Sequence, residues 1–335
     1  MPRGRFGMRN KKFWRDRTVL VTGATGIVGS WMCKTLLSKG SHVVALIQDN
    51  DPQSQLYRSG IIKQLTIVNG NLEDYWTLER AINQNAVETV IHLGAQAVVG
   101  AAFRSPLGTF ESNIRGTYNL LEACRNHSSL IDNIVVASSD KAYGEHQTLP
   151  YCEDAPLVGR NPYDVSKSCA DLIAQSYHHT YGTPVGIARC GNIYGGGDLN
   201  WSRIVPTTIR AFHDNQSPLI RSDGTFVRDY LYVKDAVNGY LTLAEELYRP
   251  EVAGQAFNFG NEAPTTVLEL VAEIQKLMNA EHLDPKVLNT AKAEIHKQYL
   301  STAKSREILN WKPKNDLRSG LIETINWYRE FLEGK

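Results

Sequence analysis

The sequence predicts an α/β protein: a doubly wound parallel sheet with a smaller C-terminal lobe interleaved into it. Three observations carry this. Between Thr18 and Ala188, short β-rich apolar runs alternate with stretches of helical period. That alternation is the mark of βαβ units, whose helices cover both faces of the sheet. The first apolar run passes directly into a glycine-rich loop, Gly23-Ala-Thr-Gly26-Ile-Val-Gly29, which opens a helical stretch. After Cys190 the pattern changes, with glycines clustered at Gly195-Gly-Gly197 and shorter, irregularly spaced elements.

The elements follow in order. Residues 18–22 form a first strand, and a helix runs from the glycine loop through Leu37 until Gly40 closes it. Strands are expected at 42–47, 65–68, 89–93, 133–137 and 185–188, separated by helices at 78–83, 109–126 and 163–181. Ile114, Tyr118, Leu121 and Cys124 share one side of the 109–126 helix. In the second half, helices are expected at 204–212, 235–246, 267–278 and 317–331, and strands at 218–220, 228–233 and 257–259. The breaks divide the chain into a sheet domain of residues 15–190, to which 229–258 return, and a lobe of 191–228 and 259–332.

Composition sets limits. With 335 residues, a net charge of +1 and 21% charged residues, the chain has no electrostatic footprint for nucleic acid. No apolar run is long enough to span a bilayer. Five scattered cysteines without a CxxC pair suggest reduced thiols and a cytoplasmic setting. Residues 1–17 are basic and lack the apolar run of a secretory signal, which suggests a solvated tail. No His, Cys and Asp set has metal-ligand spacing.

The glycine loop is the first candidate site. Gly23, Gly26 and Gly29 allow a tight turn and close backbone approach to a pyrophosphate on the positive end of the following helix. Thr25, Ile27 and Val28 fill the same loop. The tip of the second strand, Gln48-Asp49, should meet the adenosine ribose. An acid there favours NAD, so Asp49 tips the expectation to NAD without excluding NADP. Asn71 and Leu72, after the third strand, either reach the adenine or form a turn.

Tyr163 and Lys167 are the second candidate. Four residues apart on a helix, they share one face. An ammonium beside a phenol should lower the phenol's pKa, and the phenolate can take a proton from an alcohol while hydride leaves the carbon. Ser139, where the fifth strand ends, can hydrogen-bond the same oxygen. A Tyr-x-x-x-Lys spacing is common by chance; the glycine loop and the Ser138-Ser139 strand end give it weight. His92, in a strand, reads as a core histidine rather than a base.

Together the motifs resemble an extended short-chain dehydrogenase/reductase acting on nucleotide sugars, over residues 13–331. They are Thr22-Gly-Ala-Thr-Gly-Ile-Val-Gly29, His92-Leu-Gly-Ala-Gln96, Ser138-Ser-Asp-Lys-Ala-Tyr-Gly144, Tyr163-Asp-Val-Ser-Lys167, Arg189-Cys-Gly-Asn-Ile-Tyr-Gly195 and Arg228-Asp-Tyr-Leu-Tyr-Val233. The resemblance implies a Rossmann domain that holds NAD. It places Leu93, Gly94, Ala95, Gln96, Asn113, Tyr163 and Lys167 against the cofactor, with Gln96 and Asn113 at its junction with the substrate. It makes Asn192 a sugar or phosphate contact and Arg228 a diphosphate clamp. Arg203 and Asn258 are weaker substrate candidates, and Arg221 reads as a turn residue. The Asp140-Lys141 pair after Ser139 is similar to CDP-glucose 4,6-dehydratases, with Asp140 the acid and Lys141 the base of a water elimination. Gly23-Ala-Thr-Gly26, Ile193-Tyr194 and Arg228-Asp-Tyr230 are closer to the wider epimerase/dehydratase group, which bears on the nucleotide more than on the reaction class. The alternative is a 4-epimerase or uronic acid decarboxylase of the same fold. Adjacent Asp and Lys favour each other's charged form, against these roles. The resemblance also implies a homodimer joined by a four-helix interface of the 109–126 and 163–181 helices.

Overall fold

A computed structural model describes residues 13–290 and 295–334. The basic stretch 1–12, expected as a solvated tail, lies outside the described residues. The strands are β1 (Thr18–Thr22), β2 (His42–Ile47), β3 (Thr66–Asn69), β4 (Thr89–His92), β5 (Asn133–Ala137), β6 (Val185–Cys190), β7 (Asn192–Tyr194), β8 (Leu219–Ile220), β9 (Val227–Tyr232), β10 (Ala256–Phe259), β11 (Pro264–Thr266), β12 (Lys286–Val287) and β13 (Lys297–Gln298).

Seven strands form one parallel sheet in the order β10-β6-β5-β4-β1-β2-β3. The chain winds outward from β1 in one direction and from β4 in the other. A crevice therefore opens beyond the carboxyl ends of these two neighbours, where ligands bind in sheets of this kind. Residues alternate between the two faces. Val19 and Val21 join a core that includes Met32, Leu36, Val237 and Leu241. Leu20 joins a second with Leu78, Ala81, Leu120 and Leu121. Burial on both faces explains why these strands read as continuous apolar runs. Each such side chain contributes about 1.5–3 kcal/mol.

The predicted elements form with shifted ends, and three departures matter for the site. The expected 109–126 helix begins at Pro106, whose fixed φ suits a first helical turn. It widens into a π turn over Glu111–Arg115 before continuing as Gly116–Asn126. Tyr118 stays exposed while Leu121 and Cys124 are buried. Strand β9 does not return to the main sheet: it pairs with β7, β11 and β13 in a smaller sheet. The return to the sheet domain thus begins with the helix Val233–Glu246, not at residue 229. Strands β7 and β13 were not expected at all; at three and two residues they are too short to carry a period.

The lobe has its own core. Val205 and Ile209 of the helix Ile204–His213, Leu270 and Ile274 of Val267–Met278, and Leu321, Ile325 and Tyr328 of Leu317–Leu332 pack against Tyr230 and Tyr232 of β9. No described helix is long and apolar enough to cross a membrane.

Candidate functional site

A cleft of about 1350 Å³ runs from the glycine loop, past the ends of β1, β4 and β5, to the lobe. At its first end the backbone makes the site. Gly23 has φ +68, and a Cβ there would lie 2.8 Å from the Gly94 backbone. A Cβ on Gly29 would lie 2.0 Å from the Gly23 carbonyl oxygen. The loop is therefore folded tightly against its own helix and against the end of β4. That helix, Ile27–Ser38, has Gly26 as N-cap, with no side-chain cap and no acid in its first turn among the described residues. Its N-terminal partial charge is left for an anion, which fits the pyrophosphate of NAD.

Thr25, Gly26, Ile27, Val28, Gly29, Asp49, Leu72, Leu93, Gly94, Ala95 and Gln96 all line the cleft. Asn71 does not; it is exposed, and its carbonyl closes a turn with the Asp74 N–H. Asn113 does not either. From the π turn, its Oδ1 accepts from the Gln96 N–H at 2.7 Å, and its Nδ2 donates to the Gln96 carbonyl at 3.1 Å and to Ser166 Oγ at 2.8 Å. Its amide holds the Gln96 segment in place and leaves the cofactor space to others. His92 is a core histidine, as expected: both ring nitrogens meet hydroxyls, Thr22 at 2.8 Å and Thr117 at 3.1 Å. Burial, aided by the Lys167 charge, pushes it down to about 3.

The chemistry-bearing residues meet where β5 ends. Ser139 N-caps the 3₁₀ turn Asp140–Tyr143, its Oγ accepting from the Lys141 N–H at 3.2 Å and donating to Asp140 Oδ1 at 3.1 Å. Lys167 is buried and donates from Nζ to the Ala137 carbonyl at 2.8 Å. Desolvation lowers its ammonium to about 8. Tyr163 borders the cleft, yet burial pushes its phenol up to about 12, against the opposing pull of Arg203 and a Ser139 hydrogen bond. The expected lowering by Lys167 is absent. Its ammonium is turned to the β5 backbone, and desolvation of the phenolate dominates.

Asp140 is only 1% exposed, and Lys141 Nζ stands 3.9 Å from its Oδ1. Among the described residues, Asp140 Oδ2 and Ser138 Oγ are buried without a hydrogen-bond partner, although both residues line the cleft. Unpaired polar atoms of this kind cost free energy until a ligand meets them. Lys141 Nζ also donates to Gln298 Oε1 at 3.1 Å. No motif pointed to Gln298, because it arrives on a two-residue strand from the far end of the chain.

Behind the turn lies a buried polar network. Arg189 grips Asp171 through two hydrogen bonds of 2.8 and 3.0 Å and donates to Tyr143 Oη at 2.9 Å. Tyr143 donates in turn to Asn258 Oδ1 at 2.7 Å. Asn258, a candidate substrate residue on sequence grounds, is instead fully buried and supports the turn from behind.

On the lobe side Asn192, Arg203, Arg221 and Arg228 line the cleft. Arg203 is tied to Asp198 at 3.1 Å, and Arg221 donates to the Ser202 carbonyl at 2.7 Å. Arg228 is buried on β9 and donates to the Val227 carbonyl at 2.9 Å. No group of three or more His, Cys, Asp or Glu side chains is gathered as a metal site among the described residues.

Known proteins share this fold. The chain is 29% identical over 342 residues to CDP-glucose 4,6-dehydratase of Salmonella typhimurium, covering 98% of this chain and 95% of that one. UDP-glucose 4-epimerase of Thermotoga maritima, solved with UDP-glucose, superposes with a TM-score of 0.86 at 26% identity, covering 94% and 99% of the two chains. The dTDP-glucose 4,6-dehydratase of Streptomyces venezuelae, solved with NAD, superposes with a TM-score of 0.84 at 25% identity over 93% and 97%. Dehydratases and epimerases thus resemble it to similar degrees. Residues 19–260 match the NAD dependent epimerase/dehydratase family, and the chain belongs to that family.

Proposed function

We propose that the protein is a nucleotide-hexose 4,6-dehydratase, with CDP-glucose as the favoured substrate. The observation that carries this is the Asp140-Lys141 pair: a buried carboxyl with one unpartnered oxygen, next to an amine, on the cleft beside Tyr163. A simple epimerase needs no such pair, since its sugar keeps C6 intact.

Bound NAD would supply the acceptor for the hydride lost from C4 and the hydride returned to C6, and its positive ring would favour the Tyr163 phenolate. The loop from Gly23 to Gly29 would hold its pyrophosphate and Asp49 its ribose, which favours NAD over NADP. Tyr163, as phenolate, removes the proton of the C4 hydroxyl, and Ser139 hydrogen-bonds the same oxygen. Lys167 anchors the helix carrying Tyr163 to β5. Loss of the hydroxyl proton together with the C4 hydride leaves a 4-keto group, which acidifies C5. Lys141, in its neutral form, takes the C5 proton, and Asp140, in its acid form, protonates the departing C6 hydroxyl. Gln96, Asn192, Arg203 and Arg228 hold the sugar and diphosphate, the arginine forks matching phosphate oxygens. Elimination leaves a C5–C6 double bond, and return of the hydride to C6 and of a proton to C5 gives a 4-keto-6-deoxy sugar still attached to its nucleotide.

Two domains divide this work, with 15–190 and the returning 233–258 segment on the cofactor and 191–228 with 259–332 on the substrate. The helices over 106–126 and 162–181 leave Leu107, Tyr118, Leu172 and Tyr181 exposed, which supports a homodimer through a four-helix interface. Sedimentation as a monomer refutes that interface. A cytoplasmic location rests on the unpaired cysteines.

Incubation with CDP-, GDP-, dTDP- and UDP-hexoses tests the activity. A product lighter by one water, absorbing in strong base, is expected. The second reading, a 4-epimerase or uronic acid decarboxylase, is favoured by the similarity to UDP-glucose 4-epimerase. It predicts a product of unchanged mass, or loss of carbon dioxide from a uronic acid.

A further inference from the structure

One side chain far from every motif touches both members of the Asp140-Lys141 pair. Gln298 lies 157 positions beyond Lys141 and is fully buried. Its Oε1 accepts from Lys141 Nζ at 3.1 Å, and its Nε2 donates to the Asp140 carbonyl at 2.8 Å. Chemistry fixes this amide orientation, because an ammonium only donates and a carbonyl only accepts. The reverse orientation would oppose donor to donor and acceptor to acceptor.

The backbone holds Gln298 where it is. On one side β13 pairs with β9, setting Gln298 opposite Arg228. On the other, Leu300 bridges to Tyr151 and packs with Tyr151 and Tyr143, the last residue of the catalytic turn. Gln298 is thereby pressed against the turn by the same segment that completes the lobe sheet.

Its contacts bear on a conflict within the pair. A close Asp–Lys ion pair would keep both groups charged, whereas elimination needs a neutral amine and a protonated carboxyl at the right moment. The amine stands 3.9 Å from the Asp140 carboxylate, beyond a hydrogen bond, but 3.1 Å from the uncharged Gln298 amide. We infer that Gln298 is a positioning residue that holds the Lys141 amine off the Asp140 carboxyl, so that acid and base act on the sugar separately. The catalytic consequence rests on the dehydratase reading; the contact itself does not. One other charge acts on the same amine: Asp164 on the Tyr163 helix is raised by burial and lowered by Lys141. Arg228 is the register partner of Gln298 on β9.

Three variants test this in the full-length protein: Gln298→Met, Gln298→Glu and Gln298→Ala. Lys141 is acetylated with acetic anhydride across pH and its modification is read by peptide mass spectrometry. Without the amide, Lys141 closes onto Asp140, so the labelling midpoint in Gln298→Met rises by about half a unit or more. Gln298→Glu sets a carboxylate against the amine, and the midpoint rises by about one unit or more. Formation of 4-keto-6-deoxy sugar falls about tenfold in kcat with KM within about twofold, and the basic group's limb of the pH profile moves with the labelling midpoint. Unchanged labelling and kcat in Gln298→Met and Gln298→Glu overturn the proposal. Gln298→Met conserves volume and Gln298→Glu conserves shape, so a Gln298→Ala that fails to fold leaves the decision to them. If the wild type makes no 4-keto-6-deoxy product, the dehydratase reading falls. The labelling midpoint then decides the contact: a rise supports it and a constant value overturns it.

Discussion

The two ends of the cleft are built in different ways. At the nucleotide end, seven consecutive residues and a helix N-terminus do most of the work through the backbone, and two glycines are required by contacts of 2.0 and 2.8 Å. At the sugar end, side chains arrive from β5, β7, β9, β13 and the Tyr163 helix, and few are sequence neighbours. The difference is one of chemistry. A diphosphate needs N–H groups and space, which a loop supplies alone. Proton transfer needs pKa values tuned by burial and partners, which only an assembled interior supplies.

The strongest way to break this division is Tyr163→Phe. It should lower turnover by about 10³-fold while NAD affinity stays the same. Single-turnover kinetics with a parallel NAD titration checks this, and a matching loss of affinity would mean that the two ends are not separable.

Lys167 stands where the ends meet, and pH probes it. Desolvation pushes its ammonium down to about 8, against 10.5 for an ordinary lysine. Between those values the unfolded chain binds more protons at this residue than the folded one, so the contribution of Lys167 to stability should rise with pH, by about 3 kcal/mol. The buried thiols of Cys33, Cys124 and Cys190, pushed up by desolvation, pull the whole protein the other way above pH 9. Urea unfolding is therefore read as the difference between the wild type and Lys167→Met, which should move by that amount in the wild type's favour across the window. A constant difference would mean that Lys167 is not desolvated.

Gly29→Ala sharpens the backbone side. Its Cβ collides with the Gly23 carbonyl, which should cost about 2 kcal/mol of stability and weaken NAD binding. Gly26→Ala meets the same oxygen at an ordinary 3.4 Å and should be milder. Equal melting temperatures for the two variants would show that the loop is looser than drawn.

The smallest effect is expected from Asp49→Asn. Loss of a charged acceptor for the ribose should weaken NAD by about 1 kcal/mol and narrow the preference over NADP, leaving turnover at saturating NAD unchanged. Comparing the two cofactors by calorimetry checks it.

What was legible in the chain follows the same division. Gly23, Gly26 and Gly29 announce themselves because strand, loop and helix are contiguous. Tyr163 and Lys167 announce themselves because four residues make about one helical turn. Asn113 was legible as a site residue, but its work was not, since the π turn that aims it at Gln96 leaves no periodic trace. The resemblance made Asn258 a weak substrate candidate, yet its side chain accepts from Tyr143 behind the turn. Gln298 carried no signal at all.

The sequence by itself determined the parallel sheet, the glycine loop and the pairing of Tyr163 with Lys167 on one helix, because each depends on residues within a turn or two of one another. Tertiary structure alone decided how those groups are set. Burial raises the Tyr163 phenol, and a glutamine 157 positions away hydrogen-bonds both the Lys141 side chain and the Asp140 carbonyl. Solvation and long-range hydrogen bonding are properties of the folded interior, which no local stretch of sequence carries.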